Sequence, residues 1–374
     1  MTEASKLPVR FYSLDALRGF AALSVVVWHW QHFFFHGSEL PATFQRSEQP
    51  FYPLLRPLYE AGWYGVDLFF VLSGFVFFWL YRQRIEERQV SRADFWSLRF
   101  SRLYPLHLAT FIAVAILQAL FWRQNGTFFV YQHNDLFHAV LNLLFISNWG
   151  FERGYSFNAP IWSVSVEVFL YIVFFIGARF LSLTPARTLL IAAIGCGVSF
   201  LVPALGRGLT GFFMGGAAFW LLAWILRQSA ERFALRCALG ATILLWGLAL
   251  SGMLLKPGTD MVVANGLLFP ATILTIALVE IQKPSFGKRF AFLGDASYAI
   301  YLLHFPLEML SMTLAISLGI GSQLFLSPWV FCTFLIILIA LSLTIHKWFE
   351  RPAMLYLRMR LLQPAKSTAG KFAG

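Results

Sequence analysis

Long apolar runs separated by short polar gaps make up most of the chain. About twenty mostly apolar residues are needed to cross a bilayer as a helix. On that measure the pattern predicts spans near residues 14–35, 63–81, 103–122, 161–180, 188–205, 209–227, 237–255, 261–281, 293–315 and 325–347. The 188–205 run is short, which fits a tilted or partly interfacial helix. The run at 136–150 (LFHAVLNLLFISNWG) is shorter still and predicts an interfacial or re-entrant helix. No heptad, internal repeat or low-complexity tract interrupts the series. The expectation is an all-α membrane protein, a bundle of about ten transmembrane helices. It forms one membrane domain over residues 1–360, and a short basic tail follows at 361–374.

Charge then orients the bundle. Lys and Arg concentrate in alternate gaps, as the positive-inside rule requires of cytoplasmic loops. With the N-terminus inside, the outer gaps hold only Arg46, Arg56, Arg123, Arg153, Arg207 and Lys256, while the inner set runs from Lys6 and Arg10 through Arg99 and Arg102 to Lys366 and Lys371. An even number of spans returns the C-terminus to the same side, so both termini are expected in the cytoplasm. The first run is long and lacks a small-residue cleavage site, which marks it as a retained helix and not a signal peptide. The expected location is the cytoplasmic (inner) membrane, multi-pass.

Composition agrees and excludes some functions. Of 374 residues, 58% are hydrophobic and 13% charged, against about 25% charged in soluble domains. The net charge of +11 would point a soluble protein toward nucleic acid. Here it lies in short inter-span gaps, so no nucleic-acid partner is expected. Trp and Tyr gather near run ends, as at the headgroup level. Cys196, Cys237 and Cys332 form no close-spaced pair, so neither a disulfide framework nor a zinc site is expected.

Ionisable residues inside spans carry the chemistry. Each costs at least ~2.5–3.5 kcal/mol at a helix centre, so it faces the bundle interior or a pathway. Asp15, Arg18, His29, Asp67, Glu167, Glu280, Asp295, His304 and Glu308 are of this kind. Arg18 and His29 are about three turns apart and so share a face, ~16 Å apart along the axis. That face carries an anion-binding group near its inner end and a candidate base in its outer half. The plain alternative is an Arg18 that snorkels to headgroups. By depth, Asp67 and Glu167 fall near the level of His29, where a carboxylate would orient an imidazole for general-base work. Glu167 could equally staple helices through Ser163 or Ser165. Arg99 and Arg102, at i and i+3, present two planar donor forks suited to phosphate; anchoring at the inner face is the default for such arginines. Tyr298, Tyr301 and His304 recur at i, i+3, i+6 and could bind a polar substrate or stabilise an oxyanion. His29, His32 and His36 have a spacing that permits a metal, but no matching carboxylate or cysteine lies nearby, so no metal is expected.

Several segments together resemble one family. They are SLDALRGFAALSVVVWHW with Arg18 and His29, GWYGVDLFFVLSGFVF with Asp67 and Ser73, and RFSR with Arg99 and Arg102. NAPIWSVSVEVFLY with Trp162, Ser165 and Glu167, LGDASYAIYLLHFPL, and FERP at 349–352 complete the set. In this order, over nearly the whole chain, they resemble acyltransferase family 3, the bacterial membrane-bound O-acyltransferases. The stretch around Glu167 is otherwise a loose match.

The resemblance implies an O-acyltransferase that moves an acyl group, commonly acetyl, from cytoplasmic acyl-CoA to a hydroxyl of a cell-surface or exported glycan. Acyl-CoA is then donor substrate, with no permanently bound cofactor. His29 and Glu167 are the expected catalytic residues, and Arg18, Arg99 and Arg102 the acyl-CoA-binding ones. Asp15, Asp67, Ser73, Trp162, Ser165, Tyr298, Tyr301 and His304 are the supporting or substrate-binding set. Some relatives carry an additional esterase-like domain; the reading here is of the stand-alone form. Membrane ionisable groups also mark transport pathways, so a transporter or flippase for an anionic or sugar-linked substrate is the alternative.

Overall fold

A computed structural model of the chain describes residues 7–255 and 260–362. Lys6, Lys256, Lys366 and Lys371, and all of the expected basic tail beyond residue 362, lie outside the described residues.

The described residues are overwhelmingly helical; their one β-type pairing is an isolated bridge between His36 and Glu39. In chain order the main helices are α1 (Tyr12–His29), α2 (Tyr52–Ala61), α3 (Gly65–Phe77), α4 (Arg92–Asn125), α5 (Leu136–Leu143), α6 (Ile161–Ile176), α7 (Pro185–Val198), α8 (Pro203–Arg227), α9 (Glu231–Leu250), α10 (Phe269–Gln282), α11 (Ser297–Ser317), α12 (Pro328–Ile345) and α13 (Arg351–Leu361).

Eight helical segments among the described residues are long and apolar enough to cross a membrane: Tyr52–Glu86, Arg92–Asn125, Ile161–Leu181, Pro203–Arg227, Glu231–Leu250, Asp260–Gln282, Ser297–Ser317 and Pro328–Leu361. The protein is therefore a helical membrane protein. The other two expected spans fall short for different reasons. α7 has only 14 residues. α1 is long enough once the 3₁₀ turn Trp30–Phe34 extends it, but Asp15, Arg18 and His29 make it less apolar. Two of these polar residues, Arg18 and His29, line interior cavities.

Two helix starts show how local chemistry sets these elements. Ser91 caps α4 by accepting the Asp94 N–H at 3.0 Å. α1 has no such residue of its own. Glu280 of α10 instead accepts the N–H groups of Tyr12 and Ser13, both at 2.9 Å, and the Ser13 hydroxyl. An anionic carboxylate meets the positive end of a helix there, so Glu280, a candidate by its position within a span, is a helix cap.

The core is formed by α1, α3, α6, α8 and α11. α3 lies along α8 so closely that both need glycine at the crossing. A β-carbon on Gly74 would overlap the Phe212 carbonyl, and one on Gly215 would overlap the Val71 carbonyl. Small residues at such crossings let helix backbones approach where lipid gives no hydrophobic drive. Around them Phe77, Phe78, Phe95, Phe174 and Phe212 interlock, largely edge to face. α9 buries none of its residues and sits at the periphery. α5 keeps His138, Leu141 and Asn142 inside and exposes Leu136, Phe137 and Val140, the two-sided character expected of an interfacial helix.

Helix α3 continues through a π-helical turn at Phe78–Arg82, and α10 is preceded by another at Ala264–Leu268. Single π turns re-aim side chains and recur at functional sites. The first carries Tyr81 and the second Asn265, both of which reach the polar interior described next.

Candidate active site

Two chambers lie in the bundle and share one wall. The first, of about 200 Å³, is lined by Arg18 of α1, Arg99 and Arg102 of α4 and Arg358 of α13, with Ser73 and Glu167 opposite. Helical spacing puts Arg99 and Arg102 on one face of α4, and α13 packs against that helix. Arg99 is buried; it donates to the Tyr81 hydroxyl at 2.5 Å and lies over the rings of Tyr81 and Phe77, 4.7 and 5.0 Å from their centroids. Arg18 faces Asp15 at 3.5 Å. Arg358 donates to the Ser101 hydroxyl at 3.4 Å.

Among the described residues no carboxylate lies within 4.0 Å of the guanidinium nitrogens of Arg99, Arg102 or Arg358. The single carboxylate lining the chamber, Glu167, accepts the Ser73 hydroxyl at 2.8 Å. Four guanidiniums thus meet one lining carboxylate, with Asp15 against Arg18 outside the lining. Buried charge of one sign needs a partner, and planar donor forks in this number fit phosphate groups.

The second chamber, of about 530 Å³, is lined by His29, His32, Trp28, Trp63, Trp162, Tyr131 and Arg207. His29 Nδ1 lies 3.1 Å from His304 Nε2, with the rings stacked. The His32 ring packs beside His29 at 4.6 Å between centroids. His32 Nδ1 in turn meets Glu308 at 2.8 Å. Arg207 is clamped by Asp67 through two bonds of 2.7 and 3.2 Å, and Asn265 donates to the same carboxylate at 2.9 Å. The Arg207 guanidinium also lies 5.2 Å from the ring centroids of both Trp63 and Trp162.

Tyr301 lines both chambers. Its hydroxyl donates to the Pro160 carbonyl at 2.9 Å and lies 2.8 Å from the Ser163 hydroxyl. α1 spans the pair of chambers, with Arg18 in one and His29 in the other.

The structure brings together Arg18, Arg99 and Arg102 as the sequence reading expects, and adds Arg358, Tyr81 and Tyr171. It separates other pairs. Neither Glu167 nor Asp67 hydrogen-bonds His29: the first bonds Ser73 in the arginine chamber and the second bonds Arg207. Similar depth along two helices leaves the azimuth of each side chain open, and azimuth decides contact. Ser165 lines neither chamber. Its hydroxyl donates to the Phe145 carbonyl at 2.8 Å, and its own carbonyl accepts Trp149 Nε1 at 3.0 Å, so it anchors the segment after α5. Asp15 links Arg18 to Arg10, which also bonds Asp295. Tyr298 lines the arginine chamber and donates to the Leu103 carbonyl at 2.7 Å. Trp162 belongs to the histidine chamber.

Sequence reasoning named Glu308 without a partner, weighed His32 only as a metal ligand and counted Arg207 and Arg358 as loop charge, whereas the structure places His32 and Arg207 in one chamber wall, Arg358 in the other and Glu308 against His32. One signal was available. His29 and His32 sit at i and i+3 on one helix, His304 and Glu308 at i and i+4 on another, and each pair defines a polar stripe. Among the described residues no group of three or more His, Cys, Asp or Glu side chains is arranged to hold a metal ion.

Fold and interior define a polytopic helical membrane protein built around two polar chambers, one rich in arginine and one in histidine and aromatic side chains. A family model described as an acyltransferase domain matches residues 11–347, and the chain belongs to that acyltransferase family. It is therefore an acyltransferase enzyme of the membrane, and the transporter alternative gives way. The chain is 30% identical over 329 residues to Acyltransferase MdmB of Streptomyces mycarofaciens, covering 79% of each. It is 27% identical over 283 residues to Exopolysaccharide production protein ExoZ of Rhizobium meliloti, covering 70% of this chain and 82% of ExoZ. It is 24% identical over 337 residues to Peptidoglycan O-acetyltransferase OatA of Listeria monocytogenes, covering 80% of this chain and 49% of OatA. No solved structure matches.

Proposed function

We propose that the protein takes an acyl group, acetyl by preference, from cytoplasmic acyl-CoA and places it on a hydroxyl of a cell-surface or exported glycan. In this reading a single acyltransferase domain over residues 1–360 crosses the inner membrane about ten times, with both termini in the cytoplasm. The observation that carries it is the shared wall at Tyr301, where a chamber with four arginines adjoins a chamber with His29. The phosphates of coenzyme A suit Arg18, Arg99, Arg102 and Arg358. The pantetheine arm is long enough to span the ~16 Å between Arg18 and His29. The similarity to OatA, a peptidoglycan O-acetyltransferase, and to ExoZ, an exopolysaccharide production protein, favours a glycan acceptor.

The chemistry follows from these residues. The acceptor oxygen attacks the thioester carbonyl carbon while His29 takes the hydroxyl proton. The carbon–sulfur bond then breaks, and the leaving thiolate recovers that proton from His29. Tyr301 stands at the boundary between the two chambers, its hydroxyl proton held by the Pro160 carbonyl. If His29 instead carries the acyl group itself, labelled acyl-CoA without acceptor leaves label on the protein.

The test uses purified protein in nanodiscs with labelled acetyl-CoA. Thiol release by the native protein, lost in His29→Ala with insertion intact, is the expected result. Native protein inert toward acyl-CoA, or a fully active His29→Ala, refutes the reading.

A further inference from the structure

Arg207 is a charged side chain of the histidine chamber that the chemistry above leaves unused. Among the described residues lining that chamber, it alone carries a permanent charge. It stands near the start of α8. His29 ends α1 at the same end of the bundle, where α3 and α6 begin beside Trp63 and Trp162.

Its neighbours hold it in one orientation. Asp67, 0% exposed, accepts from Nε and Nη2 at 3.2 and 2.7 Å. Asn265 donates to the same carboxylate at 2.9 Å and keeps it turned toward the guanidinium. The guanidinium lies 5.2 Å from the ring centroids of Trp63 and Trp162, and Trp63 is itself stacked on Tyr64 at 3.9 Å. A salt bridge this buried is a weak source of stability, because desolvation offsets the attraction. It does supply a fixed donor. Nη1 has no hydrogen-bond partner among the described residues, so its two N–H groups are left for a ligand.

The charge of that donor is already answered. Arg207 therefore offers hydrogen bonds without a net pull on anions, unlike the arginines of the other chamber. The rest of the wall suits the same kind of ligand. Trp28, Tyr131 and Tyr155 add flat apolar surface. Gln31 also lines the chamber; Arg46 takes its oxygen at 2.7 Å, which leaves the amide N–H groups as donors. The volume of about 530 Å³ falls within the range of small-ligand sites. Broad aromatic surface with a few placed donors matches a sugar ring, whose C–H faces are apolar and whose hydroxyl oxygens accept hydrogen bonds.

We propose that this chamber is the acceptor subsite, that it takes an uncharged sugar ring, and that Arg207 Nη1 donates to a hydroxyl oxygen of that ring. Asp67 is the positioning residue for Arg207. The inference rests on the acyl-transfer reading above and narrows its glycan acceptor to one whose reacting sugar bears no carboxylate or phosphate. Arg207 and Asp67 exchange no proton with the substrate. They set which hydroxyl faces His29.

The experiment measures thiol release from acetyl-CoA by protein in nanodiscs, with neutral chitotriose or anionic trigalacturonate as acceptor. Native protein should use chitotriose about ten-fold better or more by kcat/KM. Arg207→Lys keeps a cation against Asp67 but loses the planar fork. It should raise the KM for chitotriose by about ten-fold, while the KM for acetyl-CoA and kcat at saturating acceptor stay within about twofold. Asp67→Asn leaves Arg207 without its counter-charge and should shift preference by about ten-fold toward trigalacturonate, a change of selectivity that a packing defect does not give. If either variant fails to insert, Asp67→Asn/Arg207→Gln removes both charges together and should raise the KM for chitotriose as Arg207→Lys does. A native KM for chitotriose in Arg207→Lys, or native selectivity in Asp67→Asn, overturns the proposal. Native protein that prefers trigalacturonate, or whose thiol release chitotriose does not stimulate, sinks the acceptor subsite and leaves acyl transfer standing. Native protein that releases no thiol from acetyl-CoA with either acceptor overturns the acyl-transfer reading and this subsite with it.

Discussion

The chamber around Arg102 and the chamber around His29 share Tyr301, yet they handle charge in opposite ways. In the first, four arginines are answered by Glu167 in the chamber and by Asp15 against Arg18, so positive groups outnumber the carboxylates around them. In the second, the one arginine is clamped by Asp67, and His29 and His32 in its wall meet His304 and Glu308 behind it. On the function proposed above, the cationic chamber would receive the anionic donor, and the chamber with the histidines would carry the proton transfer. The comparison teaches that one helix serves two electrical environments, with Arg18 at one end of α1 and His29 at the other; the proposed function assigns donor binding to the first and chemistry to the second.

Substitutions in each chamber put that division at risk. The largest effect is expected from His29→Ala, which should lower kcat by about 10²–10⁴-fold, the usual worth of a positioned general base. Its KM for acetyl-CoA should hardly change. A large KM effect with retained kcat would merge the two chambers into one binding site. Next comes Arg102→Ala, which should raise the KM for acetyl-CoA by roughly ten-fold or more, as loss of a charge-assisted bond does. Turnover at saturating donor should be preserved. Acetyl-pantetheine, which lacks the nucleotide phosphates, should be insensitive to the same change. Arg358→Ala should act in the same direction but only severalfold, because this side chain is partly exposed and screened. A kcat effect from Arg358→Ala would place α13 in the chemistry and not in donor binding. The smallest kinetic effect should come from Ser165→Ala, which touches neither chamber. It leaves the Phe145 carbonyl without its donor and should cost about 1–3 kcal/mol of stability, read as a lower melting temperature in detergent, with KM and kcat retained.

Sequence reading located most of the architecture because bilayer thickness imposes a length on every spanning run. The run at 161–180 became Ile161–Leu181, and the run at 209–227 became Pro203–Arg227. It failed at the boundary of the first long helical segment. That segment starts at Tyr52, because Tyr52–Ala61 is a two-sided helix whose polar residues hide it from a hydropathy scan. At the site, the arginine cluster was legible in part, since Arg99 and Arg102 share a face of one helix. The partner of His29 was not. His304 lies 275 positions away, and several carboxylates at similar depth competed for the role.

The chain by itself determined most of the long apolar helices, that α1 carries a cation and an imidazole facing the bundle interior, and that basic residues gather in alternate loops. These follow from local periodicity and from the cost of burying polar groups in lipid. Only the tertiary structure decided partnership: Asp67 with Arg207 across 140 positions, His32 with Glu308 across 276, and Glu167 with Ser73 instead of an imidazole. Helical periodicity sets where a side chain lies around its own axis. Which neighbour that side meets depends on how the helices pack, and close crossings such as Gly74 against Phe212 settle it.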